Sequence, residues 1–273
     1  MRGALVVTVV LVAGAGCDRV FGLDRGPPPD APACPGAAGH DEDGDGIDDA
    51  CDNCPALANA DQANVHDDDD VGDACDPAPD LGGDHLARFY SFADPNTSAL
   101  HWSASPHWTF ADDAFVFDGI SVANTDPQIG VLTIDIRTPP PFQLQARFTL
   151  DAVDHTRTES ATLIGNLDDP GQSYLECNVG YDGNDLASAF VKSDAGQEYK
   201  PAPLDGGSYH GGASFEVIST VTTSQETCVV DGGGANHADA SVTIVRPTVG
   251  NIGFSGQYTS FHVDSLVVIQ LGR

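Results

Sequence analysis

The sequence predicts an all-β protein, an antiparallel jelly-roll sandwich preceded by an irregular, disulfide-bonded segment rich in aspartate. Three observations predict it. From about Leu86 onward, polar and apolar residues alternate in short runs separated by Gly, Asp and Pro, the period of half-buried strands. No run of helical period interrupts them. Between residues 34 and 80, by contrast, Asp, Gly, Ala and Cys dominate without any such alternation.

Charge narrows the partners. The chain carries 41 acidic and 11 basic residues, a formal net charge of -30, which repels phosphate backbones and excludes nucleic acid as a partner. With 41% hydrophobic residues there is still material for a core. The acidity is uneven: no Lys or Arg lies between Gly26 and Ala87, while Asp recurs from Asp41 to Asp80. Such a stretch must be solvated, disordered or neutralised by cations.

Residues 1–17 read as an export signal. Arg2 gives a basic start, Ala4 to Ala13 form the apolar run, and Gly14, Ala15 and Gly16 are small. The run is too short for a membrane span, which needs about 20 apolar residues. Small residues directly before Cys17 resemble the lipobox of bacterial lipoproteins, with Gly14 where the usual box has Leu; the resemblance implies acylation of Cys17 and anchoring to a membrane. Ordinary cleavage after Ala15 is the alternative. The chain has 7 cysteines, and setting Cys17 aside leaves an even number, as suits an oxidising compartment. The expected location is the cell envelope, at the outer membrane or cell surface. Asp18 resembles the inner-membrane retention signal of enteric lipoproteins. Residues 18–33, with Pro27, Pro28, Pro29 and Pro32, form a stiff tether.

Residues 34–80 hold an internal repeat. Cys34-Pro35 is followed by Asp49-Ala50-Cys51-Asp52, and Cys54-Pro55 by Asp73-Ala74-Cys75-Asp76. The economical pairing is Cys34 with Cys51 and Cys54 with Cys75, although four cysteines allow three pairings. Cys51 and Cys54 also form a CxxC, but zinc ranks low among so many hard carboxylates. In the first unit Asp41, Asp43, Asp45, Asp49 and Asp52 stand at the first, third, fifth, ninth and twelfth places of a loop. Gly46 permits a sharp turn and the Ile47 carbonyl adds an oxygen, a set that suits calcium. An EF-hand would need flanking helices, which these Pro- and Gly-rich flanks do not supply.

The run from Asp41 to Pro55, with Asn59-Ala60-Asp61-Gln62 and Val71 to Asp76, resembles the thrombospondin type 3 repeat. That family has little regular secondary structure and folds around calcium ions and disulfides, so the resemblance implies Ca2+ as a structural cofactor. In the second unit the matching positions are Asp67, Asp69, Asp73 and Asp76, with Asn59, Asp61 and Asn64 as further contributors. Val65-His66 adds a residue, and Asp68 and Asp70 replace turn glycines, so a weaker or distorted site is expected there. Without calcium, like charges within a Debye length of about 8 Å would keep the segment extended.

Residues 81–273 carry the sandwich. Phe142, Leu144, Ala146, Phe148 and Leu150 alternate with polar residues, as do Leu175, Cys177, Val179 and Tyr181. Further strands are expected at 88–92, 114–117, 131–136, 162–164, 215–221, 241–245, 250–254 and 261–269. Cys177 and Cys228 lie in strand-like runs and are expected to pair. The ending Val249 to Phe254 and Phe261 to Val268, with Phe89-Tyr90-Ser91-Phe92, resembles concanavalin A-like and laminin G-like jelly rolls, which speaks to fold more than function.

No paired-carboxylate run of a glucanase, nucleophile elbow or zinc-protease motif is present. Glu159, Glu176, Glu198, Glu216 and Glu226 are read as solvated strand residues. Trp102, Trp108, Tyr174 and Tyr181 could stack on sugars but are assigned to the core. His101 and His107 are assigned to the surface, and Asp182 to Asp185 and Asp231 to Gly234 to turns. The leading expectation is a noncatalytic, calcium-binding surface lipoprotein, its repeats a stiffened spacer and its sandwich binding glycan or protein in adhesion. The alternative is a carbohydrate-active hydrolase, told apart by two acids converging in a groove.

Overall fold

In the computed structural model the described residues are 39–67, 69–93, 102–104, 107–120, 128–132, 139–168, 173–193, 196–234, 236–244 and 250–272. The signal, Cys17, the tether, Cys34, His101 and residues 133–136 of the strand expected over 131–136 lie outside them.

Two antiparallel sheets face each other. The seven-stranded sheet runs, in spatial order, β10 (Gly196–Pro203), β9 (Asp185–Ser193), β8 (Ser173–Tyr181), β7 (Glu159–Asp168), β14 (Asn251–Gln257), β5 (Gln128–Leu132) and β2 (Trp102–Ala104). The eight-stranded sheet runs β13 (His237–Thr243), β12 (Gln225–Asp231), β11 (Ser214–Val221), β6 (Phe142–Ala152), β15 (Ser260–Gln270), β4 (Ala114–Asp118) and β3 (Trp108–Ala111). In that sheet β1 (His85–Tyr90) shares one side of β15 with β4: Ser260 to Val263 pair with β4, and Leu266 to Gln270 with β1. The fold class expected from the sequence is the one observed.

Alternation decides which side chains enter the core. Phe142, Leu144, Ala146, Phe148 and Leu150 of β6 are all buried, and Leu175, Cys177 and Val179 of β8 face them from the other sheet. One end is aromatic: Trp102 lies 5.3 Å from Phe254, and Trp108 lies 4.6 Å from Phe115. Both tryptophans are core residues, as the sequence suggested. Cys177 of β8 is bonded to Cys228 of β12, tying sheet to sheet. Closing a loop of that length stabilises by about 4 kcal/mol on chain-entropy arguments.

Two glutamates, Glu226 and Glu159, depart furthest from the solvated reading. Glu226 is in phase with Cys228 and Val230, so β12 carries it inward; it is 0% exposed and accepts a 2.8 Å hydrogen bond from the Ser219 hydroxyl. Glu159, in phase with Ala161 and Leu163, is also buried and accepts the backbone N–H groups of Asp154 and His155. A residue judged by type alone loses this information, because strand phase decides the face.

The aspartate-rich segment lies against the sandwich. Its described part has one regular element, a 3-10 turn at Asp49–Cys51. Val71, fully buried, packs against Val267, Ile269 and Leu271 on the outer face of the eight-stranded sheet. The Gln145 side-chain amide donates to the Cys75 carbonyl (3.3 Å), and the Arg147 guanidinium donates to the Ala56 carbonyl (3.2 Å). The sequence suggested a stiffened spacer, without any contact to the sandwich being foreseen. Apolar residues on the outward side of β15, which a solvated sheet face would not carry, explain the docking.

Candidate functional site

Two loops of the segment gather carboxylates. In the first, Gly44 and Gly46 adopt φ of 77° and 96°, which lets the backbone wrap around Asp41. The Asp41 carboxylate accepts the N–H groups of Gly44 (2.9 Å), Asp45 (3.2 Å) and Gly46 (2.9 Å). Asp45 accepts from Ile47 N–H at 2.8 Å and, across the repeat, from Asn59 N–H at 2.8 Å. Oxygens of Asp41, Asp43 and Asp45 lie within 4.8 Å of one another. Burial, with the charges of Asp45, Asp52 and Asp41 added, pushes the Asp43 carboxyl up to about 6.

Asp52 is buried beside this group, accepting from Cys54 N–H and the Gln62 amide at 2.7 Å each. Asp49 is held elsewhere, by Glu42 N–H (2.8 Å) and His40 Nδ1 (2.6 Å). Asn59 and Gln62 stitch the two halves together, the Gln62 amide donating to Asn59 Oδ1 at 2.9 Å.

The second loop brings Asp67, Asp69 and Asp76 together within the same 4.8 Å limit. Burial and the charges of Asp69, Asp84 and Asp67 push Asp76 up to about 6. Asp73 mirrors Asp49: it accepts from Val65 N–H at 3.2 Å and pairs with His66 Nδ1 at 3.0 Å. Asp61 accepts from Ala63 N–H (3.3 Å). Buried oxygens of Asp43 in the first loop, and of Asn64, Asp67 and Asp76 in the second, have no hydrogen-bond donor among the described residues. Crowded, donor-free carboxylate oxygens are the arrangement a hard cation with six to eight oxygen ligands relieves.

Cys54 is bonded to Cys75, the pairing expected from the repeat. Cys51 is also disulfide-bonded, with its partner outside the described residues.

A second candidate site crosses the outer face of the seven-stranded sheet, a groove of about 290 Å³. Register lines up Glu176 of β8, Phe190 of β9 and Tyr199 of β10 in one row, with Asn178 and Ser188 in the next. Tyr174 lies 5.5 Å from Phe190, ring to ring, and 47% of Tyr199 is exposed. The core assignment of Tyr174 is therefore corrected: it is in phase with Glu176 and faces the groove. Burial alone pushes the Glu176 carboxyl up to about 7.

The other acids that border the groove, Glu159 and Asp182, stand at its far end. Glu159 is opposite Tyr181 and Glu176 opposite Ile164, a separation of about 17 Å along β7 at ~3.4 Å per residue, and Glu159 points inward. Asp182, one residue past Tyr181, is farther still along β8. A retaining glycosidase needs two carboxyls about 5 Å apart, and an inverting one about 6.5–9.5 Å. Phe190 and Tyr199 were missed in the sequence, where β9 and β10 lack clean alternation.

No protein-family model and no characterised protein matches the sequence. Among solved structures, the VIP36 exoplasmic/lumenal domain in its Ca2+/Man3GlcNAc-bound form is 12% identical, matched over 68% of this chain and 90% of its own, at a TM-score of 0.51. The endo-beta-1,3-glucanase from Pyrococcus furiosus is 11% identical over 68% of this chain and 94% of its own, also at 0.51. The GH43 BlXynB protein from Bacillus licheniformis is matched over only 39% of its length, at 12% identity and a TM-score of 0.49. At this identity, the first two likenesses show a β-sandwich fold and nothing further.

Proposed function

We propose that this chain is a calcium-loaded, lipid-anchored envelope protein whose sandwich binds glycan without cleaving it. The observation that carries the binding reading is a groove in which Glu176, with the other acids that line it at the far end, stands among Tyr174, Phe190, Tyr199 and the polar side chains of Asn178 and Ser188. Exposed rings offer faces for sugar C–H groups, while amide and hydroxyl groups satisfy sugar hydroxyls. A VIP36 domain of the same fold is described in a Ca2+/Man3GlcNAc-bound form, which supports a glycan as the ligand class. Calcium is supported by the donor-free oxygens of both aspartate loops and by the resemblance to thrombospondin type 3 repeats. Anchoring through Cys17 rests on the lipobox resemblance, and adhesion at the cell surface is the role that follows.

Calorimetric titration of the purified full chain tests both ligands. Calcium is expected to bind saturably and magnesium to fail at the same concentration; equal binding of both ions would end the calcium reading. Oligosaccharide is expected to bind wild type and to lose about tenfold affinity in Tyr199→Ala, the scale of one stacking contact of ~1.5 kcal/mol. One observation favours a hydrolase: an acid pushed up to about 7 is suited to proton donation. Reducing sugar released by wild type and not by Glu176→Gln would replace the binding reading with that one.

A further inference from the structure

The second aspartate loop is short of a ligand by its own sequence. The first-loop place of Asp41 falls on Val65 when Asp49-Ala50-Cys51-Asp52 is laid over Asp73-Ala74-Cys75-Asp76, and Val65 is 78% exposed and has no side-chain oxygen. Yet the structure leaves more donor-free oxygen here than in the first loop. Asn64 Oδ1, Asp67 Oδ2 and Asp76 Oδ2 are joined by Asp84 Oδ2, against Asp43 Oδ2 alone in the first loop.

Asp84 lies outside the repeat, on the residue preceding β1, and is 2% exposed. One oxygen, Oδ1, accepts the Gly272 N–H at 2.8 Å, just past the end of β15. The approach there is close: a Cβ on Gly272 would fall 2.5 Å from the Gly83 carbonyl. The Asp84 backbone N–H donates to Asp69 Oδ2 at 2.8 Å, and Gly83 N–H donates to the same oxygen at 3.1 Å. The Asp84 backbone is thus bound to a member of the aspartate group, and the Asp84 carboxylate, outside the trio whose oxygens lie within 4.8 Å of one another, is near enough for its charge to act on Asp76. A fully desolvated carboxylate oxygen without a donor is strongly unfavourable unless a cation meets it.

We propose that Asp84 completes the second cation site, so that a divalent cation held by Asp67, Asp69, Asp76 and Asp84, with Asn64 Oδ1, clamps the aspartate-rich segment to β1 and β15. The inference rests on the calcium reading of the loops and deepens it: the first site orders the segment, and the second joins it to the sandwich. Ligands from two parts of the chain make the metal a cross-link. Calcium suits the set, because four carboxylates and an amide oxygen approach its usual ligand count and flexible geometry.

The test uses the purified full chain as wild type, Asp84→Asn and Asp43→Asn, each titrated with calcium by calorimetry and melted in chelator and in saturating calcium. The amide introduced by Asp84→Asn retains an oxygen for the Gly272 N–H but loses the charge. Asp84→Asn is expected to weaken one class of calcium sites by about tenfold or more and leave the other unchanged, whereas Asp43→Asn does the converse. In chelator Asp84→Asn is expected to melt above wild type, since an unpaired buried charge is gone, and in calcium to gain less from the ion. Amide exchange in His85–Tyr90 and Val267–Leu271 should slow with calcium in wild type and Asp43→Asn, and stay fast in Asp84→Asn. Calcium binding by Asp84→Asn identical to wild type overturns the proposal while the calcium reading stands. Absence of saturable calcium binding by wild type overturns both.

Discussion

The sandwich and the aspartate-rich segment reach order by opposite means. In the sandwich, side chains alternating along β6, β8 and β14 bury a continuous apolar core, and hydrogen bonds run strand to strand. In the segment, Val71 and Cys54 are among the few buried hydrophobics, and most backbone N–H groups with a side-chain acceptor find an aspartate. A core is ordered by excluding water, whereas a lattice of carboxylates is ordered only once its mutual repulsion is neutralised. The difference predicts that the two regions respond to different perturbations.

The largest effect is expected from the core. Phe254 is fully buried and lies between Trp102 (5.3 Å) and Phe148 (5.7 Å). Phe254→Ala is expected to cost about 3–5 kcal/mol of stability in denaturant unfolding. Calcium affinity of the folded variant should not change. A loss of calcium binding in step with stability would mean that the two regions are one cooperative unit.

The docking surface should give a smaller and different result. Val71 is the segment's buried apolar contact with Val267, Ile269 and Leu271. Val71→Ala is expected to cost about 2 kcal/mol where that contact is counted in stability. Limited proteolysis should read it more clearly, with cleavage between residues 60 and 83 faster than wild type and the sandwich fragment intact.

Much of this organisation is legible in the sequence, and what escapes it has a physical reason. Period-two alternation over Phe142 to Leu150 gave away β6, and the Cys-Pro and Asp-Ala-Cys-Asp repeat gave away the segment and the Cys54–Cys75 bond. The strand Asp185–Ser193 escaped because one face is covered by the partner sheet and the other by rings, so neither reads as polar, and Gly196–Pro203 escaped because it is a mostly exposed edge strand interrupted by Pro201 and Pro203. Asp84 escaped because its role depends on Gly272, which lies at the other end of the chain. Docking of the segment escaped for the same reason: outward Val267 and Ile269 look like ordinary core residues until strand phase is known.

The smallest effect, and the one that separates the regions by pH, concerns Glu226. Burial pushes its carboxyl up to about 8, with the charge of Glu176 adding to the rise and the Ser219 hydroxyl opposing it. An acid whose folded value lies above its unfolded value of about 4.5 binds more protons when folded. Its contribution to stability is therefore present below that unfolded value and is lost as pH rises towards 8. Wild type should show a melting temperature that declines between about pH 5 and 8, and Glu226→Gln should flatten that decline, because the amide still accepts from Ser219 and cannot ionise. Measured with and without calcium, the change made by Glu226→Gln should be the same, since Glu226 lies in the sandwich interior and the ions are assigned to the segment. A calcium-dependent difference would show that the electrostatics of the segment reach into the core, and the separation of the two regions would then be one of composition and not of energy.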